Sequence, residues 1–171
     1  MKHMTTYKSP LGPLLLESDE KGLTGLWFYG SKYFPTVIAE PDDCIDEGTI
    51  LGEAKRWLDI YFSGKDPDFM PIIHFEGTEF QIIVWKLLCG ISYASTISYG
   101  EIAKKVAESK GIEKMSAQAV GGAVGHNKIG ILVPCHRVVG ADGSLTGYAG
   151  GIDKKRKLLQ LEKRERALWI R

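Results

Sequence analysis

The 171-residue chain predicts an α/β protein in two parts: a small N-terminal α/β unit over residues 1–75, and a mainly helical C-terminal part over residues 76–171 with a helix-turn-helix. Three observations predict this division. Short apolar runs parted by turn residues open the chain, helical apolar periods recur from Asp46 onward, and the balance of charge changes sign near residue 75.

Taken in order, Tyr7-Lys8-Ser9-Pro10-Leu11-Gly12-Pro13 reads as a turn. Leu14-Leu15-Leu16 and Leu23-Thr24-Gly25-Leu26-Trp27-Phe28 flank Asp19-Glu20-Lys21-Gly22, which is a hairpin pattern. Between Asp46 and Phe62 the apolar residues Ile50, Ala54, Trp57, Leu58 and Tyr61 keep a helical period that stops at Ser63-Gly64. A new helix begins at Thr78, whose spacing to Gln81 fits a capping box, with Phe80, Ile83, Val84, Leu87 and Leu88 as its buried stripe. Ser98 and Glu101 repeat that spacing ahead of Ile102, Ala103 and Val106.

A further helix is expected from Ser116 through Ala117-Gln118-Ala119-Val120-Gly121-Gly122-Ala123-Val124, and the two helices resemble a helix-turn-helix. Paired glycines inside a helix cost roughly 1 kcal/mol each relative to alanine. A face of small residues, Ala117, Ala119, Gly121 and Gly122, would let a nucleic-acid backbone approach closely. Tight packing against a neighbouring helix accounts for the same composition.

Residues 1–75 carry 7 Lys+Arg against 12 Asp+Glu, and residues 76–171 carry 15 against 9. The later part is therefore the one able to face phosphates, although a solvated basic surface has the same charge. Cys44, Cys89 and Cys135 are odd in number and widely spaced, which argues against a secreted disulfide framework and for reduced thiols. His3, His74, His126 and His136 have no spacing with cysteines or carboxylates that marks a structural zinc site, so no metal is expected. No apolar run approaches the roughly 20 residues that span a bilayer, and the first residues lack an apolar signal core. The expected location is the cytoplasm, or the nucleus in a nucleated cell, with no membrane contact and no stable oligomer.

The most informative stretch is Ile131-Leu132-Val133-Pro134-Cys135-His136-Arg137-Val138-Val139-Gly140. Branched apolar residues on both sides predict burial, yet a cysteine, a histidine and an arginine interrupt them. A cysteine among aliphatics is ordinarily a small buried hydrophobe. An adjacent imidazole can activate a thiol, but neighbours in a strand point to opposite faces, so the pair needs a turn, which Pro134 helps to set. On a helix from about Asp153, Glu162 falls within the apolar arc of Leu158 and Leu159, where a carboxylate wants a buried partner. Glu165 lies near the same arc.

Pro134-Cys135-His136-Arg137-Val138 resembles the active-site signature of the O6-alkylguanine-DNA alkyltransferases. Asn127 stands eight positions before Cys135, as in that family, and Ala119-Val120-Gly121-Gly122-Ala123 is similar to its recognition helix. Gly147-Tyr148-Ala149-Gly150-Gly151 resembles the substrate-binding loop, Ile97-Ser98-Tyr99 the segment with the active-site tyrosine, and Glu162 the triad carboxylate. The resemblance covers about residues 78–163; the N-terminal part, ribonuclease-H-like in the family, matches in general character.

That resemblance implies direct-reversal DNA repair. A nucleotide bearing O6-alkylguanine, or O4-alkylthymine, would be rotated out of double-stranded DNA gripped through its minor groove, and the alkyl group would pass irreversibly to Cys135 without a cofactor. His136 would take the thiol proton, Glu162 would orient the imidazole, and Asn127 would fasten the turn. Tyr99 would hydrogen-bond guanine and supply a proton, and the Ala149 N–H would lie near O6. The Cys135 and Val138 carbonyls would receive the exocyclic amine, with Tyr148 and Gly150 completing the pocket. Ser98, Tyr99, Ala117, Gln118, Ala119, Gly121 and Gly122 would meet DNA. Gln118 stands where the best-known members have an arginine that fills the vacated stack, so weaker help to flipping is expected. Ala149 replaces a common serine, and Arg137 is expected to form a salt bridge between the two halves. A thiol hydrolase using Cys135, His136 and Glu162, or a binding or regulatory module without chemistry, are the alternatives.

Overall fold

The structure, a computed structural model, describes residues 1–42 and 45–169, the last helix by its side chains as far as Arg164. Cys44 and the side chain of Glu165 lie outside the described residues. The chain opens with β1 (His3–Ser9), β2 (Gly12–Ser18) and β3 (Leu23–Phe28), an antiparallel sheet in that order. The turn expected over Tyr7–Pro13 is narrower: Ser9 pairs with Gly12, so Pro10 and Leu11 alone form it. Gly12 makes this possible with a φ of 118°, which a side chain would oppose. β1 escaped the sequence reading because its stabilisation is main-chain pairing to β2, and its polar side chains show no apolar alternation.

Alternation across β2 sends Leu14 and Leu16 to one face and Leu15 to the other. On the first face α1 (Ile50–Phe62), capped by Thr49, packs through Leu51, Ala54, Trp57, Leu58 and Tyr61. On the second, Met4, Leu15 and Trp27 gather Phe34 into a smaller cluster. The outer edge of β3 is taken up by later chain. The Leu23 N–H donates to the Ile72 carbonyl (2.8 Å) and the His74 N–H to Leu23 (2.9 Å); the Leu26 N–H donates to Lys128 (2.8 Å) and the Gly130 N–H to Leu26 (3.0 Å). The sheet thereby fixes the segment that leads to Cys135.

The later half is helical: α2 (Glu79–Leu88), α3 (Tyr99–Lys110), α4 (Ala117–Gly125) and α5 (Ile152–Trp169). Both bonds of the Thr78–Gln81 capping box are present, a device worth about 1 kcal/mol. Ser98 caps α3 by accepting from the Glu101 N–H, and Ser116 caps α4 by accepting from Ala119. The buried stripe of α2 differs from expectation. Val84, Trp85 and Leu88 lie deepest, while Phe80, Ile83 and Leu87 are half-buried. Trp85 tolerates the core because its indole N–H donates to the Ala123 carbonyl at 2.9 Å.

Between α3 and α4 runs the segment 111–116, longer than the turn of three or four residues usual in a helix-turn-helix. Two-residue strands β4 (Ile97–Ser98) and β5 (Val138–Val139) pair in parallel and bring the start of α3 beside the turn that carries Cys135. Among the described residues no helix is long and apolar enough to cross a membrane.

Candidate active site

A single turn of 3-10 helix, Cys135–Arg137, follows Pro134 and resolves the adjacency problem: tight winding lets Cys135, His136 and Arg137 all be buried. Ahead of it, Asn127 acts as a brace. Its amide nitrogen donates to the carbonyls of Val133 (2.8 Å) and Ile129 (3.2 Å), and its oxygen accepts from the Ile129 N–H (3.0 Å). This bracing accompanies a positive φ of 67° at Ile131, a backbone region that β-branched residues rarely enter.

Behind the turn lies Glu162 of α5, fully buried. Its Oε2 accepts from His136 Nε2 (2.6 Å) and the Tyr61 hydroxyl (2.6 Å); its Oε1 accepts from Arg137 Nε (2.8 Å) and the Ala94 N–H (3.1 Å). Burial alone would push this carboxyl up, but the hydrogen bonds from His136 and Arg137 and the Arg137 charge outweigh it and hold the pKa at about 2. Arg137 also donates to the Ile91 carbonyl at 2.8 Å. Both partners belong to the later half, so the expected salt bridge between halves is not what Arg137 makes. The link to the earlier half at this carboxylate is Tyr61, which sequence reasoning placed only in a core stripe.

An ionised carboxylate can only accept, so His136 carries its proton on Nε2 and offers Nδ1 as a base. Nδ1 is buried without a hydrogen-bond partner. Burial lowers the pKa of His136 despite the pull of Glu162, keeping the imidazole neutral at rest. Burial likewise raises the Cys135 thiol, against the opposing pull of an Asn127 hydrogen bond and the charge of Lys155. The resting pair is thus thiol and neutral imidazole, with charge separation favoured only once something polar enters.

Cys135 borders a cavity of about 230 Å³ together with Tyr99, Gly121, Tyr148 and Ala149. Tyr99 opens α3, and its hydroxyl accepts from Thr146 at 3.2 Å, which leaves its own proton free to donate. Gly150 is needed where it stands: a β-carbon there would come within 2.9 Å of Phe28 and Tyr148. Ala117, Gln118, Ala119 and Gly122 are exposed and Gly121 is half-buried, while Val120, Ala123 and Val124 turn inward. The small face of α4 therefore looks outward rather than into a helix packing. Ser98 stays at the α3 cap, and Val138 presents its carbonyl to Lys155.

Lys155 itself went unnoticed in the sequence. It is fully buried on α5, and its Nζ donates to the carbonyls of Val138 (2.6 Å), Thr146 (2.9 Å) and Gly147 (3.4 Å), binding the 146–147 loop to the strand after Cys135. Lys32 and Tyr33 also reach the cavity, from the N-terminal half. Among the described residues, Asp19, His74 and Glu76 stand close enough together to hold a metal ion. Asp19 already pairs with His74 (2.6 Å), and Glu76 with Lys2. Cys89 and Cys135 are free thiols.

Fold and constellation together define a class, two-domain α/β proteins with a buried cysteine–histidine–carboxylate set beside a cavity. Comparison with known proteins narrows it. The family model "6-O-methylguanine DNA methyltransferase, ribonuclease-like domain" matches residues 2–72, and "6-O-methylguanine DNA methyltransferase, DNA binding domain" matches residues 79–164. The chain belongs to the 6-O-methylguanine DNA methyltransferase family. It is 45% identical to a methylated-DNA–protein-cysteine methyltransferase of Methanosarcina acetivorans over 91% of this chain and 95% of that one. A protein of the same name from Mycobacterium tuberculosis is 44% identical over 95% of this chain and 93% of the relative. The crystal structure of M. tuberculosis OGT in complex with DNA superposes with a TM-score of 0.80 at 42% identity, covering 95% of this chain and 94% of that one.

Proposed function

We propose that this protein is a single-use DNA repair enzyme that moves an alkyl group from O6 of guanine, and from O4 of thymine, in double-stranded DNA to its own Cys135. The observation that carries the reading is Cys135 at the cavity wall, followed in the same turn by His136, whose Nε2 is held by ionised Glu162, beside the outward small face of α4. The names of the relatives and the DNA bound to the M. tuberculosis neighbour agree with it.

The chemistry follows from these groups. A flipped base fills the cavity and places its alkyl carbon against the sulfur. The thiol proton passes to His136 Nδ1, directly or through water, and Glu162 stabilises the resulting imidazolium. Sulfur attacks the saturated carbon, the C–O6 bond breaks, and its electron pair goes to guanine, which gains a proton from Tyr99. The Ala149 N–H meets O6, and the Cys135 and Val138 carbonyls receive the exocyclic amine. The product thioether has no electrophilic carbonyl for water, so Cys135 stays alkylated and no cofactor takes part.

Residues 76–171 form the DNA-binding and transfer domain in this reading, and residues 1–75 a structural one. The α3–α4 pair acts as the helix-turn-helix, entering the minor groove with Ala117, Ala119, Gly121 and Gly122 against the backbone and Gln118 in the gap left by the base. The protein works as a monomer in the cytoplasm. Incubation with an oligonucleotide containing O6-methylguanine, followed by intact mass and peptide mapping, tests the reading. One methyl per molecule on Cys135, lost in Cys135→Ser, is expected; sustained turnover or an unmodified protein overturns it.

A further inference from the structure

The loop after β3 carries a feature that the transfer chemistry leaves unused. Tyr33 lines the same cavity as Cys135, Tyr99 and Tyr148, although it comes from the N-terminal half of the chain. Its backbone is left-handed, with a φ of 65°. Bulky L residues rarely adopt that region, and such a conformation persists only where its surroundings over-determine it.

Those surroundings are both walls of the cavity. On one side the Lys32 N–H donates to the Ala149 carbonyl at 2.8 Å, fastening the loop to the segment 147–151. On the other, the Tyr33 ring stacks on His126, centroids 4.2 Å apart and planes 28° from parallel. His126 is the C-cap of α4, and its Nδ1 is bonded to the Gly122 carbonyl at 2.7 Å. Tyr33 is 47% exposed, so the ring has the cavity on one flank and solvent on the other. It is the outer wall of the pocket, and its strained backbone and two attachments hold it against swinging aside.

We infer that Tyr33 is a specificity-determining residue: its ring limits the size of the O6 substituent that the cavity admits beside Cys135. The inference rests on the proposed function for the identity of the occupant. A methyl group leaves the wall untouched, whereas a benzyl group must displace a ring fixed in place.

Single-turnover rates on oligonucleotides with O6-methylguanine and O6-benzylguanine read this directly. Tyr33→Asn removes the ring while keeping a residue that tolerates the left-handed backbone. It should raise the benzyl-to-methyl rate ratio roughly tenfold or more, the range one mismatched apolar contact commands. Tyr33→Phe keeps the ring and should keep the wild-type ratio. Tyr33→Gly, which relieves the backbone altogether, should behave like Tyr33→Asn, with thermal melting confirming that each variant is folded. A ratio unmoved in both ring-less variants overturns the inference, as does a Tyr33→Phe ratio equal to theirs. If the wild-type protein acquires neither group on Cys135, the proposed function itself has failed.

Discussion

Replacing Glu162 by glutamine keeps the shape of the side chain and removes its charge, which makes Glu162→Gln the sharpest test of the buried network. The carboxylate accepts from Tyr61, His136, Arg137 and Ala94, and its pKa falls from 4.5 to about 2 on folding. At about 1.4 kcal/mol per unit this depression corresponds to roughly 3 kcal/mol of stability. A lowered carboxyl pKa stabilises the fold above the unfolded-state value, and that contribution drains away as pH falls from about 4.5 towards 2. The amide also leaves the buried Arg137 guanidinium without a counter-charge, a loss of about 3–5 kcal/mol for broken buried pairs. Urea unfolding of both proteins at a series of pH values measures the difference. We expect a gap of about 3–5 kcal/mol at pH 7 that narrows through pH 4 to pH 2, and slower methyl transfer at neutral pH. A gap under about 1 kcal/mol at pH 7, or one that does not change with acidification, refutes the assigned charge state.

Two further substitutions probe other parts of the site. Lys155→Met preserves length but leaves the carbonyls of Val138, Thr146 and Gly147 without their donor; a stability loss of about 2–4 kcal/mol in denaturant titration and a lower transfer rate are expected. Gln118→Arg adds a cation and a better stacking group on the exposed face of α4, and should tighten DNA binding and speed repair in fluorescence-anisotropy and single-turnover assays. No change in either measurement would remove Gln118 from the flipping step.

How legible the molecule is in its sequence depends on how local each signal is. The caps at Thr78, Ser98 and Ser116 bond to a residue three positions on, and each can be read from spacing alone. Cys135, His136 and Glu162 stand out because polar groups interrupt apolar patterns. Tyr61 does not, since its hydroxyl meets a carboxylate 101 residues away and a tyrosine at a core position looks ordinary. Lys155 is hidden for the opposite reason: a lysine among lysines and arginines on α5 reads as solvated, and only three converging carbonyls reveal that it is buried. Lys32 and Tyr33 sit on a loop without periodicity, and a positive φ at a tyrosine leaves no trace in composition. The ion pair of Arg137 with Glu162 likewise joins separate stretches of chain.

The rungs that join β3 to Ile72, Lys128 and Gly130 are amide-to-carbonyl bonds. The seam is close-fitting as well: a β-carbon on Gly22 would come within 2.9 Å of the Ile72 and His74 backbone, so even alanine there would press against it. A gene fragment encoding only the later half would lack the rail along which the approach to Cys135 is laid. Inheritance should consequently treat the two halves as one module, even though only one of them carries the reactive sulfur.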